Sequence, residues 1–237
     1  MLPHSIRAIW KNAVRMGIVA AAFAGTASIA HATTLGGTFN ISVYQGAGGG
    51  NINDPQVQAN QSNPLISAGN LLGFGTYTGN LDFSQNSTNT IGAFLASGGG
   101  TLTGGLTSST VQNAVLSTAP FATTSVFVIT GTTASILAGT VTHDDGASLY
   151  DGPGYSNTVF DAAGPVVATP TAYSGLFGNW ELIYVEANGL PAVLNFDVTR
   201  SEAPSTTPLP AALPLFAGGA GLIGLFSRRR RRRSVTA

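Results

Sequence analysis

Thr142-His-Asp-Asp-Gly-Ala-Ser-Leu-Tyr-Asp-Gly152 and Gly178-Asn-Trp-Glu-Leu-Ile-Tyr-Val-Glu-Ala-Asn-Gly-Leu-Pro-Ala-Val-Leu194 carry the pattern that decides the fold. Each is a strand-forming run interrupted by residues that favour tight turns. In the second, Trp180 to Val185 and Ala192 to Val198 read as the clearest pair of strands, joined by Glu186 to Pro191, with Asn188-Gly189 as the turn signal. The first opens on a turn of its own. Aspartate side chains bond nearby backbone N–H groups, and Gly146 tolerates a positive φ.

The same grammar continues outward. Thr38 to Tyr44 alternates, with Phe39, Ile41 and Val43 on one face and Asn40, Ser42 and Tyr44 on the other. Ser125 to Thr130 is an apolar, β-branched run, and Ala134 to Thr142 alternates again. Gly75 to Phe83 reads as a strand or a hairpin about Gly79-Asn80, and Gly46 to Asn53 as a loop. Helical patterning is confined to Thr90–Ala96 and Thr110–Leu116. Many short strands with Gly/Pro turns predict an all-β body, a β-sandwich or jelly roll.

The order of motifs from Phe127 to about residue 199 resembles PA14-like and fibro-slime-like β-sandwich domains. The matching positions are Asp144, Asp145, Gly146, Leu149, Tyr150, Tyr184, Glu186 and Gly189. Asp151-Gly-Pro-Gly154 stands where those domains usually place an Ile-Asp-Gly hairpin. Some carbohydrate-binding relatives of this kind hold calcium with paired aspartates, so the resemblance implies a calcium role for an Asp pair without saying which pair.

The residues themselves leave two readings of the Asp-Asp-Gly segment open. One is a structural turn. The other is a calcium site at which Asp144, Asp145 and Asp151 converge, since carboxylates and loop carbonyls are hard oxygen ligands. The segment does not follow the EF-hand order.

Other chemistry finds little support. The chain has no cysteine, which excludes disulfides, thiolate metal sites and a cysteine nucleophile. His143 is the one histidine between residues 33 and 203, too few for histidine-based zinc spacing, and no Gly-x-Ser-x-Gly elbow accompanies it. A hydrogen-bonded or solvated histidine is expected instead. Glu181 and Glu186, five apart on one strand, face opposite sides and do not make a glycosidase pair. Trp180 and the tyrosines at 150, 155, 173 and 184 are expected to pack rather than stack on sugars.

The two ends are unlike the body. Residues 1–32 follow the plan of a secretory signal peptide: Arg7, Lys11 and Arg15, an uncharged apolar run from Met16 to Ala30, then Ala30 and Ala32 at the positions a signal peptidase reads. Residues 204–237 carry Pro208-Leu209-Pro210-Ala211, a glycine-rich apolar run, and six arginines, Arg228, Arg229, Arg230, Arg231, Arg232 and Arg233. Nineteen uncharged residues from Pro208 to Phe226 would span ~28 Å as helix, close to a bilayer core, with the arginine block stopping translocation on the cytoplasmic side. Prolines at 208, 210 and 214 shorten the usable helix and suit a transient span. This tail resembles a PEP-CTERM sorting signal of the VPLPA variant, with Thr207 where valine is usual. The resemblance implies an exported Gram-negative protein that an exosortase-type membrane protease cleaves and passes to the surface. Such proteins are often associated with exopolysaccharide and biofilm.

Removing the ends exposes the charge of the body. One basic residue, Arg200, faces ten acids in residues 33–203, so the neutral whole chain conceals a body at −9. That sign excludes nucleic-acid binding. Three domains are therefore expected: a signal peptide at 1–32, an exported β-rich domain at 33–203, and a sorting tail at 204–237 that places the precursor in the membrane. The functional expectation is a non-catalytic cell-surface or extracellular-matrix protein with polysaccharide as its candidate ligand. A glycan-active enzyme and a purely structural matrix component remain the alternatives.

Overall fold

The computed structural model describes residues 32–204. The sorting motif, the arginine block, and the signal segment through residue 31, with its Ala30 position, lie outside these residues, and Ala32 is the first described residue. Among the described residues no helix is long and apolar enough to cross a membrane.

The body is β throughout, as the patterning predicts. Its strands are β1 (Thr33–Thr34), β2 (Gly36–Ala47), β3 (Leu71–Asn80), β4 (Asp82–Gln85), β5 (Thr101–Leu102), β6 (Thr123–Asp144), β7 (Gly146–Asp151), β8 (Asn157–Ala162), β9 (Thr169–Glu186) and β10 (Ala192–Glu202). The two predicted helices form as α1 (Ile91–Ser97) and α2 (Ser109–Asn113). Thr90 and Ser108 cap them, their hydroxyls accepting from the N–H groups of Ala93 (3.2 Å) and Val111 (3.3 Å).

All the strands belong to one hydrogen-bonded sheet, whose main path runs β5-β3-β2-β6-β9-β7-β8. The long strands β6 and β9 make it fold back on itself. The first part of β6 pairs with β2 and with the end of β9; its last part pairs with β10 and with the start of β9. The register shifts between Thr133 and Leu137, where β6 leaves one layer for the other. The layers close on an aromatic core. Trp180 of β9 lies 5.7 Å from Phe39 of β2 and 5.6 Å from Phe196 of β10, centroid to centroid. Tyr77 of β3 meets Phe83 of β4 at 4.9 Å. These are the inward residues of two facing layers that share their central strands.

β1 pairs with β10 and β2 with β6, so residues 33–106 build the same body as the later strands. A second, smaller cluster of Val57, Leu65, Val126, Tyr150, Ile183 and Val185 covers the outer side of β9.

The hairpin predicted at 180–198 does not form, and neither does the hairpin alternative for Gly75–Phe83. β9 and β10 are not partners, because β6 lies between them and bonds to both. β3 and β4 are not partners either, since β4 pairs with β10. In each case the turn residues carry the chain from one layer to the other. Gly189 keeps the positive φ, 89°, that its turn signal foretold.

Candidate functional site

The crossing segments meet at one end of the sandwich. β6 ends at Asp144 in one layer and β7 starts at Gly146 in the other, so Asp145 makes the crossing. Opposite stand the end of β9 and the segment from Ala187 to Pro191. Asp144, Asp145 and residues 188–191 line a cleft of about 490 Å³ together with Ile52, Phe121 and residues 165–168. Asp144, Asp145 and Asn188 are the residues with polar side chains in its lining. The peptide bonds Asp144–Asp145 and Leu190–Pro191 are both cis.

The two carboxylates are nearly enclosed, with Asp144 8 % and Asp145 4 % exposed. Asp145 Oδ2 accepts from the backbone N–H groups of Ala187 (2.8 Å) and Asn188 (3.0 Å), which ties one lip of the cleft to the other. Burial pushes the Asp145 carboxyl up to about 6, and the nearby Asp144 charge adds to the rise against those two N–H bonds. Burial likewise raises Asp144, opposed by the backbone N–H of Ala168.

Among the described residues no lysine or arginine compensates the pair. Arg200 is the only lysine or arginine among the described residues, and it bonds Glu202 on an exposed stretch of β10. His143 is fully buried beside the pair but neutral. Its Nδ1 lies 2.7 Å from the Asp145 carbonyl oxygen and so must donate, leaving Nε2 to accept from Thr171 Oγ1 at 2.9 Å. Burial lowers its pKa, against the Asp145 bond. The hydrogen-bonded histidine expected from the sequence is there; solvent is not.

Beneath the cleft lies Glu186, named in the sequence as a motif position and as one half of a failed glycosidase pair, without a role at the site. Glu186 has no exposed surface. Ser117 Oγ donates to its Oε1 at 2.9 Å, and the Tyr184 hydroxyl lies 3.0 Å from its Oε2. Burial, reinforced by the Asp145 charge, pushes the Glu186 carboxyl up to about 9 despite those hydrogen bonds. A signal for it existed. Leu182, Tyr184 and Glu186 share one strand face by parity, which puts an acid on a core face.

No family model matches the chain, and no curated protein matches it. Among solved structures, it is similar to a PA14 sugar-binding domain from an RTX adhesin, with 19 % identity and a TM-score of 0.47 over 72 % of this chain and 100 % of that one. It is similar also to the PA14 domain of the antifreeze protein MpAFP, with 15 % identity and a TM-score of 0.42 over 75 % of this chain and 97 % of that one. With both TM-scores below 0.5, these likenesses carry no weight for function, which rests on the residues of the cleft.

Of the three aspartates expected to converge, the structure brings together Asp144 and Asp145 and does not bring Asp151. That residue ends β7, six residues and about 20 Å of strand from Asp145. Its Oδ2 accepts instead from the backbone N–H of Phe177 at 3.2 Å. Among the described residues no three acids or histidines gather closely enough to hold a metal on their own. Gly146 does not use the positive φ that glycine tolerates. Glycine is needed there because a Cβ would lie 2.2 Å from the carbonyl oxygen of Ala163. Trp180, Tyr150, Tyr173 and Tyr184 are buried, so their packing role holds.

Proposed function

We propose that the body binds calcium at Asp144 and Asp145 and, through it, a polysaccharide in the cleft, as a non-catalytic protein of the cell surface or matrix. The observation that carries this reading is the pair of enclosed carboxylates opening on a cleft that no lysine or arginine of the described residues lines. Two adjacent buried carboxylates held by backbone N–H groups but without a counter-charge are costly, and a bound cation reduces that cost. The donor set fits a hard cation. Two carboxylates, the side-chain oxygen of Asn188 and loop carbonyls are oxygen ligands, and calcium takes 6–8 of them. Calcium would supply the missing charge and leave coordination positions for water or sugar hydroxyls. With only two carboxylates, affinity is expected near the weak extracellular range, about 10⁻⁴–10⁻³ M.

The rest of the cleft suits a sugar. Ile52, Val166 and Val167 line it while 47 %, 41 % and 81 % exposed, an apolar lip that matches the C–H face of a pyranose. The order of the Asp-Asp-Gly and Tyr-x-Glu-x-x-Gly motifs points the same way. Export through the signal segment and exosortase processing at Pro208–Ala211 complete the proposal.

A glycan array with the full-length protein, run with calcium and with chelator, tests the binding. Saturable binding lost on chelation, and in Asp144→Ala or Asp145→Ala, is the expected result. No binding in any condition sinks the reading, and turnover of polysaccharide would replace it with an enzyme. For the tail, the surface form is weighed in the native host with and without the exosortase. A surface form that still carries the arginines rejects processing.

A further inference from the structure

We propose that Ser117, Glu186 and Tyr184 form a buried positioning strut that sets the separation between the two lips of the Asp144–Asp145 cleft. The inference rests on the cation-binding reading above and assigns the part of the fold that holds that site open to the right width.

The strut can be followed atom by atom. On the Asn188 side, the Gly189 N–H donates to Ser117 Oγ at 2.8 Å. Ser117 Oγ donates to Glu186 Oε1 at 2.9 Å. Glu186 Oε2 and the Tyr184 hydroxyl are 3.0 Å apart, and that hydroxyl donates to the carbonyl oxygen of Asp144. The chain of bonds thus begins on one lip and ends on the backbone of the other. Ser117 is fixed in turn by Asn89, whose Oδ1 accepts from its N–H at 3.3 Å. Tyr184 is clamped by ring contacts with Phe94 (5.6 Å) and Phe127 (5.8 Å).

Counting protons identifies what Glu186 contributes. The Tyr184 hydroxyl has one proton and faces two oxygens, the Asp144 carbonyl and Glu186 Oε2. If it donates to the carbonyl, the bond to Glu186 needs a proton from the acid. Glu186 therefore accepts from Ser117 with one oxygen and donates to Tyr184 with the other. Glutamine has the same pair of functions in the same shape; leucine has neither. This geometry makes position 186 a positioning residue, since no surface of Glu186 reaches the cleft.

The experiment uses the full-length protein and three variants, Glu186→Gln, Glu186→Leu and Tyr184→Phe. Calcium affinity is read by calorimetric titration well below the melting temperature, and exchange of the Gly189 amide is read in chelator. Glu186→Gln is expected to bind within about threefold of wild type and to keep the amide slow. Glu186→Leu and Tyr184→Phe are expected to weaken calcium about tenfold or more, and Glu186→Leu to speed exchange at Gly189. A merely structural residue would lower the melting temperature without this selective rescue by glutamine. Wild-type affinity in Glu186→Leu and Tyr184→Phe overturns the strut while leaving the cation site standing. If wild type binds no calcium, the cation reading fails by itself, and equal Gly189 exchange in wild type and Glu186→Leu then overturns the strut as well.

Discussion

The two ends of β7 carry the same residue types and behave differently. At its start, Asp145 precedes Gly146; at its end, Asp151 precedes Gly152. Asp145 shares its cleft with a second nearly buried carboxylate and holds two N–H groups of the opposite lip. Asp151 lies outside the cleft lining, and its Oδ2 accepts from the backbone N–H of Phe177. A carboxylate paired with another in an enclosed space stores repulsion that a cation can relieve. A lone carboxylate satisfied by a backbone donor has nothing for a cation to relieve. The contrast teaches that position relative to the layer crossing, and not residue type, separates a candidate site from a structural contact.

The sharpest way to break this comparison is to neutralise each end in turn. Asp144→Asn with Asp145→Asn removes both charges from the cleft and should reduce calcium affinity by about 100-fold or more. Asp151→Asn should leave it unchanged. Calorimetric titration of each variant decides. A substantial loss in Asp151→Asn would mean that the far end of β7 contributes after all.

The glycines beside those aspartates give the second contrast. Gly146→Ala places a Cβ 2.2 Å from the backbone oxygen of Ala163, which cannot swing aside. A destabilisation of about 1–3 kcal/mol follows from overpacking, and the displaced crossing should weaken calcium binding too. Gly152 has a φ of 78°, and its added Cβ would meet the movable Asn157 side chain at 2.5 Å. Gly152→Ala should therefore cost about 1–3 kcal/mol of backbone strain with calcium affinity intact. Denaturant melts paired with calcium titrations separate the two, and equal effects on affinity would remove the distinction between the ends.

The sequence made the reason for Gly189 legible and not the reason for Gly146. Turn chemistry names a φ requirement, which Gly189 meets, but Gly146 is demanded by the approach of Ala163, a contact that no local pattern encodes. The same limit explains the hairpins. Alternation located β2 and the later half of β6, because burial of one face leaves a period of two; an apolar β-branched run located the first half of β6, and strand runs flanking a turn signal located β9 and β10. These signals did not reveal partners. Asn188-Gly189 reverses the chain equally well within a layer or between layers, and the packing of Phe196 on Trp180 and Tyr173 places β10 beyond β6. At the site, the Asp pair was visible in its turn motif. Asn188, the apolar lip and the Ser117–Glu186 contact were not, since they gather residues from segments 52 to 191 that only the layer crossing brings together.

A third test sharpens the comparison through pH, measured in chelator. The folded-state value of Glu186 lies near 9, above the value of 4.5 for an unperturbed glutamate. Between those values the folded protein keeps a proton that the unfolded chain releases, so stability is full below about 4.5 and falls as pH rises towards 9. The slope is at most about 1.4 kcal/mol per pH unit for one proton. Asp145, raised to about 6 from 3.8, adds a loss of the same sign between those two values. Above pH 6 the Asp145 contribution is complete and Glu186 dominates. Urea midpoints of wild type should decline from pH 6 to 9, while those of Glu186→Gln stay nearly flat. A wild-type curve that is flat over this range would mean that Glu186 is already ionised when folded.

The smallest effect belongs to the far end of β7. In Asp151→Asn the side-chain oxygen can still accept from the Phe177 N–H, so the hydrogen bond survives with a neutral acceptor in place of a charged one. Bonds to charged groups are worth about 1.5–3 kcal/mol and neutral ones about 1, which limits the loss to roughly 1 kcal/mol. Asp151→Ala removes the acceptor altogether and should cost somewhat more, because the N–H is left without its partner. The difference between the two substitutions measures how much of the role of Asp151 is its charge. If asparagine is as damaging as alanine, the charge itself is what the far end requires. The contrast between the two ends of β7 would then have to be drawn from their surroundings alone.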